Sequence, residues 1–339
     1  MDATAPSGLR FGVDDEPGIR RHGHERPSYT DEASGKAIHD RKVLDRIKHL
    51  AVPPAWTDVW IASDPRSHVQ ATGRDARGRK QYRYHPRYRE HQEEAKFELL
   101  VPFGHALSQL RRQVDRDLRR HGVPRERVIA AVVELLDRTL IRVGNEEYAR
   151  ANGSFGLTTL RNRHVQVEGS HLRMHFAGKS NKQFDVRFDD PRLARIVTRC
   201  QDLPGQLLFQ YMNGDGTPHP VRSSDVNDYL RDHSGLDATA KTFRTWNATV
   251  YAATALAAAP PPESARNGKS TVMAMLKVVS AELNNTPAVC RRSYIHPAVI
   301  DSYLDGTLRD RWADASARGS RQLTTEERKT LSMLERSGR

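Results

Sequence analysis

Five side chains downstream of Leu140 could together transfer a phosphodiester without a metal ion: Arg142, Lys179, Arg244, Asn285 and Tyr294. Such a transfer needs a nucleophile, positive or hydrogen-bonding groups for the charge on a phosphorane-like transition state, and a proton for the leaving oxygen. Metal ions are one way to meet these needs; two arginines, another donor and a lysine acid are another. Taken singly, none of the five stands out. A lone arginine on a helix is ordinarily a surface charge, a lone tyrosine ordinarily packs, and Tyr294 is one of ten tyrosines. Spacing alone leaves both readings open.

The elements that must position these groups can be read from hydrophobic period. Helical patterns run from about Tyr88 to His121 and resume from Arg125, where Val128, Val132, Leu135, Leu136 and Leu140 share one side until Gly144-Asn145 interrupts. Arg142 therefore stands at the end of an apolar helix. Between His164 and Phe188 the period changes from 3.6 to 2, with Leu172, Met174 and Phe176, then Phe184, Val186 and Phe188, alternating. This predicts a three-stranded antiparallel sheet, with Lys179 in the Gly178-Lys179-Ser180-Asn181 turn at a hairpin tip. Arg244 falls just ahead of an alanine-rich helix, and helices continue to the end apart from a loop at Ala259-Pro260-Pro261-Pro262.

The N-terminal region reads differently. Residues 1–27 are polar and aperiodic, which predicts a partly ordered arm. Val43, Leu44, Ile47 and Leu50 form an apolar stripe ended by Pro53-Pro54. Strand-like segments follow at Asp58–Ala62, His68–Thr72 and Lys80–Tyr84, the last two flanking a turn with Asp75 and Gly78. The expected class is α+β: a small β-rich N-terminal domain over residues 1–90 and a larger, mainly α-helical domain over 91–339 that contains the three-stranded sheet.

Composition limits the chemistry. Lys and Arg total 54 against 42 Asp and Glu, a formal charge of +12 that favours a polyanionic partner. Two cysteines cannot build a disulfide framework or a four-thiolate zinc site. No apolar run approaches the roughly 20 residues of a membrane span, and Met1–Gly8 lacks a signal-peptide plan. Gly178-Lys179-Ser180 and Gly268-Lys269-Ser270 end like phosphate loops, but Arg173 and Glu263 stand where the first glycine belongs, so no nucleotide is expected. The only tight histidine pair, His22-Gly23-His24, has no third ligand, and no acidic cluster suits a two-metal nuclease, so neither metal nor cofactor is expected.

Local charge points the same way as the total. Between Ala71 and Glu90 lie seven Arg or Lys residues and two acids, interleaved with Tyr82, Tyr84 and Tyr88. Basic side chains follow phosphates, while Tyr and Gln can touch groove edges. Alternation puts Tyr82 and Tyr84 on one strand face and Gln81 with Arg83 on the other. An ordinary amphipathic strand with a solvated face would look similar.

Several ordered segments sharpen the choice: Pro54-Ala55-Trp56-Thr57-Asp58-Val59, Gly73 to Tyr82, Ile141 to Tyr148, Gly156-Leu157-Thr158-Thr159-Leu160 with Asn162, Arg163 and His164, Phe176-Ala177-Gly178-Lys179, Lys241 to Trp246, and Ser293-Tyr294. In this order and spacing the chain resembles the small type IB DNA topoisomerases of bacteria and poxviruses over nearly its whole length. The resemblance implies a two-lobed clamp on duplex DNA that relaxes supercoils without ATP or metal. Tyr294 would attack the scissile phosphate to give a 3′-phosphotyrosyl bond, and Arg142 and Arg244 would hold the non-bridging oxygens. Lys179, with Arg142 assisting, would protonate the leaving 5′-oxygen, and Asn285 would donate to a non-bridging oxygen. Arg79, Lys80, Gln81, Tyr82, Tyr84 and Tyr148 would contact DNA. A monomer in the bacterial cytoplasm, associated with the nucleoid, is expected.

One departure matters. Poxvirus relatives carry histidine where this chain has Asn285, and an amide cannot titrate, so its expected role is electrostatic. A tyrosine recombinase shares the Arg, Lys, Arg and Tyr chemistry, but such enzymes have a His-x-x-Arg box where this chain has Lys241-Thr242-Phe243-Arg244. A non-catalytic duplex-binding protein would share the basic hairpin and form no covalent adduct.

Overall fold

The computed structural model describes residues 8–214, 216–316 and 318–337, apart from the side chains of Tyr148 and Ser180. Contacts divide the chain into two compact units that meet in sequence between Lys96 and Phe97. The first is built on an antiparallel sheet, and the second is a larger helical body with its own three-stranded antiparallel sheet.

In the first unit the elements are β1 (Ile19–His22), β2 (Ser28–Asp31), α1 (Arg41–His49), β3 (Thr57–Ile61), β4 (Val69–Arg74), β5 (Lys80–Tyr84) and α2 (Pro86–Glu98), the last running across the unit junction and the expected division at 90/91. The strands pair in the order β2-β1-β3-β4-β5. Asp40 caps α1, its carboxylate accepting from Lys42 N at 2.8 Å. Ile47 from α1 joins Ile19, Val59, Ile61 and Ala71 in a small core. Trp56 lies over β4, where a Cβ on Gly73 would come within 2.9 Å of the indole, so two of the sequence motifs meet in one contact. Within the expected arm, Ile19–His22 is in fact an inner strand of the sheet. Its arginines are satisfied from neighbouring segments, Arg20 by Glu32 and Arg21 by the carbonyls of Pro53, Pro54 and Trp56.

The second unit begins with α3 (Leu100–Leu118), α4 (Arg125–Thr139) and α5 (Glu146–Asn152). The single long helical pattern expected from Tyr88 is therefore two helices, separated at Leu99. The sheet β6 (Val165–Glu168), β7 (His171–Ala177) and β8 (Gln183–Asp189) follows, paired in chain order. Leu172, Met174 and Phe176 are buried on its inner face. Then come α6 (Pro191–Gln201), the hairpin β9 (Gln210–Met212) and β10 (Pro218–Pro220), α7 (Ser223–Ser234), α8 (Ala240–Ala258), α9 (Ala265–Glu282), α10 (Pro287–Ser293), α11 (Pro297–Leu304), α12 (Leu308–Ala313) and α13 (Thr325–Ser337). The β9–β10 hairpin was not expected, because the prolines that bound β10 mask a strand signal.

Phe103, Leu107 and Leu110 of α3, Leu135 and Leu136 of α4, and Phe243 and Trp246 of α8 are fully buried together. Each such side chain contributes roughly 1.5–3 kcal/mol. Trp246 sits against Gly104, where a Cβ would lie 2.7 Å from its ring. Its indole N–H donates to Glu327 of α13 at 3.3 Å, and Glu327 also accepts from Arg111 at 2.8 Å. Helix α8 is thus fixed from both sides. Among the described residues no helix is long and apolar enough to cross a membrane.

Candidate active site

Three interruptions of helix create the site. Helix α4 stops where Leu140 turns left-handed (φ 54°), and the chain continues outside any helix through Arg142. Gly156 lies against this stretch: a Cβ there would fall 2.5 Å from the Arg142 carbonyl, so only glycine permits the approach. Leu157 N then donates to Arg142 O at 2.9 Å and Thr158 N to Val143 O at 2.7 Å, fixing the backbone beneath the arginine. This accounts physically for the Gly156-Leu157-Thr158 motif.

Arg244 lies inside α8 rather than ahead of it. Thr239 starts the helix five residues earlier, its N–H donating to Thr242 Oγ1 at 3.0 Å. The Arg244 side chain is only 3% exposed. Its Nη1 donates to Leu140 O and its Nη2 to Leu283 O, the latter at 2.6 Å. Tyr294 ends α10, its N–H donating to Cys290 O at 3.0 Å, and the Arg244 guanidinium stands 5.4 Å from the centre of its ring. Asn285 caps the site from the loop after α9, accepting at Oδ1 from Arg142 Nη2 at 2.7 Å. Lys179 begins the turn between β7 and β8, which Gly178 N closes onto Lys182 O at 2.8 Å.

Arg142, Lys179, Arg244 and Tyr294 all line one cleft of about 370 Å³, and Asn285 joins them through Arg142. Lys241 lines the same cleft, one helical turn before Arg244, and among the described residues no acidic side chain does. Arg142 Nη1, Arg244 Nε and Asn285 Nδ2 are each buried without a well-formed hydrogen bond among the described residues. Buried donors are rarely left this way, and a group of them beside two guanidinium charges is the arrangement an anion completes.

Electrostatics adjust the phenol. Burial alone pushes Tyr294 up, but Arg244, by charge and hydrogen bonding, and then Arg142 and Lys241 more than offset it, so its pKa lies below that of an ordinary tyrosine. Burial, followed by repulsion from Arg142, draws Arg244 down to about 10, which leaves it cationic at neutral pH. His296, two residues beyond Tyr294, is taken down to about 4 by burial, and its Nδ1 accepts from Ala298 N at 3.2 Å. It is therefore a neutral helix cap near neutral pH.

The hairpin residues belong to the first unit. Tyr82 and Tyr84 are exposed and stack with ring centres 5.8 Å apart. Lys80 is held by Asp14 at 2.6 Å, while Asp75 binds Arg79 at 2.6 Å and accepts from Gln81 Nε2 at 3.0 Å. Arg83, on the face opposite the tyrosines, donates to Ala51 O at 2.8 Å and so secures the end of α1. Tyr148 belongs to α5; its side chain lies outside the described residues.

Sequence reasoning did not single out Lys241 or the carbonyls of Leu140 and Leu283. Lys241 had a signal, since three residues before Arg244 in a helix is the same face. Backbone acceptors have none.

Comparison with known proteins shows the family. The family described as eukaryotic DNA topoisomerase I, catalytic core, matches residues 85–314, and that described as bacterial DNA topoisomerase IB, N-terminal domain, matches residues 28–75. DNA topoisomerase 1B of Acanthamoeba polyphaga mimivirus is 32% identical over 269 residues, covering 77% of this chain and 80% of the viral protein. DNA topoisomerase 1 of rabbit fibroma virus (strain Kasza) is 23% identical, covering 83% and 90%, respectively. DNA topoisomerase 1B of vaccinia virus (strain Copenhagen) is 18% identical, covering 80% and 85%.

Proposed function

The chain belongs to the type IB DNA topoisomerases, and from that premise we propose that Tyr294 cuts one strand of duplex DNA, holds it as a 3′-phosphotyrosine, and then reseals it. The Tyr294 oxygen bonds to phosphorus after losing its proton to water, and the bond from phosphorus to O5′ breaks. Lys179 protonates the departing oxygen, with Arg142 assisting. Arg142, Arg244 and Asn285 receive the charge that develops on the non-bridging oxygens. The phosphotyrosine conserves the energy of the phosphodiester, so resealing by the 5′-hydroxyl requires no ATP, and supercoils are released by rotation while the strand is open. With this many fixed cations, the transition state requires no metal ion.

The single observation that carries the proposal is the trio of buried donors on Arg142, Arg244 and Asn285 that lack a well-formed hydrogen bond among the described residues, beside a phenol made more acidic by the same arginines. The N-terminal hairpin would hold the duplex through Arg79, Lys80, Gln81, Tyr82 and Tyr84, with Tyr148 contributing from the second unit. The enzyme would act as a monomer on the chromosome in a bacterial cytoplasm. The test is SDS trapping on supercoiled plasmid in EDTA without nucleotide. Wild type should give a covalent protein–DNA adduct and relaxed product, and Tyr294→Phe neither. An adduct that persists in Tyr294→Phe, or a strict magnesium requirement, sinks the proposal.

A further inference from the structure

The loop that follows α9 has an unusual set of partners. The helix ends at Glu282, and Asn284 just beyond it adopts a left-handed conformation (φ 54°). Three consecutive carbonyls then accept from three cations brought by three different elements. Leu283 O accepts from Arg244 Nη2 of α8 at 2.6 Å, and Asn284 O from Arg142 Nη2 of the segment after α4 at 3.5 Å. Asn285 O accepts from Lys182 Nζ, at the end of the β7–β8 turn, at 3.3 Å. The location favours positive charge, because these groups lie just past the negative end of an 18-residue helix.

Two of the three cations are the arginines already placed at the phosphate, while Lys182 has no role in the proposed chemistry. Its position supplies one. Lys179 and Lys182 are the two ends of a single tight turn, closed by Gly178 N onto Lys182 O at 2.8 Å and by a left-handed Asn181 (φ 58°). Gly178 packs close against Phe184, where a Cβ would lie 2.5 Å from the ring. Fixing one end of so short a turn fixes the other.

Resting on the function proposed above, we infer that Lys182 is a positioning residue: by binding Asn285 O it ties the β7–β8 hairpin to the loop that carries Asn285, and so holds Lys179 where it can protonate O5′. The same carbonyl row would register the proton donor against both phosphate-binding arginines. The chemistry of the step is unchanged. The Tyr294 oxygen joins phosphorus, the electron pair of the broken bond departs on O5′, and the proton comes from Lys179 Nζ.

The leaving group supplies a discriminating test. A sulfur at the 5′ position departs as a stable thiolate and needs no proton, so a defect confined to proton delivery disappears on such a substrate. A cleavage site is first mapped on plasmid with wild type and then built into two synthetic duplexes, one with oxygen and one with sulfur at that position. Lys182→Ala should slow single-turnover adduct formation on the oxygen duplex by about tenfold or more, part of the ~10²–10⁴ that a positioned acid supplies. On the sulfur duplex it should lie within about twofold of wild type, because no proton transfer remains to be lost. Lys182→Arg, which can still reach the carbonyl, should restore the oxygen rate. Adding Lys182→Ala to Lys179→Ala should cost nothing further.

An equal loss on both duplexes would make Lys182 a phosphate contact or a structural prop, and unchanged rates on both would give it no role. Either overturns the inference while wild type still cleaves. No adduct from wild type on any DNA would overturn the proposed function itself, and this inference with it.

Discussion

Asn285 can be tested in more depth than any other residue of the site, because in the proposed reaction its two amide atoms would have separate jobs. Oδ1 accepts from Arg142 Nη2 at 2.7 Å, and Nδ2 is buried with no well-formed partner among the described residues. Asn285→Ala removes both. Losing a donor aimed at developing charge costs about 10²–10³-fold in rate, or ~2.7–4 kcal/mol. Losing the acceptor leaves Arg142 Nη2 with only Asn284 O at 3.5 Å among the described residues, a stability loss near the low end of the ~1–3 kcal/mol range. The rate should therefore fall much further than the stability. Single-turnover adduct formation and thermal unfolding, measured on the same preparation, separate the two. Asn285→Asp should be slower than Asn285→Ala near neutral pH, since a carboxylate there cancels Arg142 and repels the phosphate. Asn285→His should retain activity and add an ionisation to the pH–rate profile. Full activity in Asn285→Ala, or Asn285→Asp equal to wild type, would refute an electrostatic role for this amide.

Three further outcomes are expected. Arg244→Gln removes the strongest influence lowering the Tyr294 phenol, so its pKa should rise, and with it the ascending limb of the cleavage–pH profile. Phenolate is the species above the pKa, so the shift must be to higher pH; ¹³C NMR of labelled tyrosine reads it directly, and an unmoved signal contradicts the assignment. Asp14→Asn frees Lys80 from its 2.6 Å ion pair and should raise duplex affinity by up to about fivefold, the ~1 kcal/mol ceiling for a partly exposed pair. That gain should vanish in a Lys80→Gln background, and its survival there in titrations at fixed salt would mean that Lys80 does not meet DNA. Gly104→Ala drives a Cβ to 2.7 Å from Trp246 and 2.9 Å from Leu331. It should destabilise by about 1–3 kcal/mol, lowering Tm by about 2–4 °C for each kcal/mol; an unchanged melting curve would show that α8 is not tightly seated.

What could be read from the sequence follows from where side chains carry the signal. The three-stranded sheet was legible because Leu172, Met174 and Phe176 alternate, and these are the residues it buries. Strand β1 was not, since only Ile19 of Ile-Arg-Arg-His is buried, and its two arginines are paid for by residues far away in sequence. The apolar stripe made α4 visible but carried its end too far, to Gly144-Asn145, because Leu140 continues the stripe while its left-handed backbone stops the helix after Thr139. The start of α8 was read late because Thr239, Ala240 and Lys241 carry no period. At the site, the five candidate side chains emerged as a set of motifs, and chemistry alone could not have separated Tyr294 from the other tyrosines. The acceptors that orient Arg142, Arg244 and Lys182 are main-chain carbonyls. They leave no trace in residue types, so Lys182 looked like any other lysine of a polar turn.

The choice of carbonyls over carboxylates has a consequence for binding. In the first unit Lys80 and Arg79 are oriented by Asp14 and Asp75, and each cation is largely cancelled by its partner. In the cleft, Arg142 and Arg244 are oriented by Leu140, Leu283, Asn284 and the amide oxygen of Asn285, all uncharged. A carboxylate would hold a guanidinium just as firmly, but it would also repel an incoming phosphate. A unit charge about 4 Å away is worth about 4 kcal/mol at an effective dielectric of ~20, so neutral acceptors preserve an attraction of that order. The arrangement is costly: the two arginines repel, which contributes to drawing Arg244 down to about 10, and three donors are buried without a well-formed hydrogen bond among the described residues. In the proposed reaction a phosphate would relieve both costs, most of all when it carries the extra charge of the transition state. The hairpin cations, by contrast, exchange one anion for another. On the proposed function they would suit reversible, salt-sensitive attachment along a duplex, while the uncancelled charge would be kept for the one phosphate beside Tyr294.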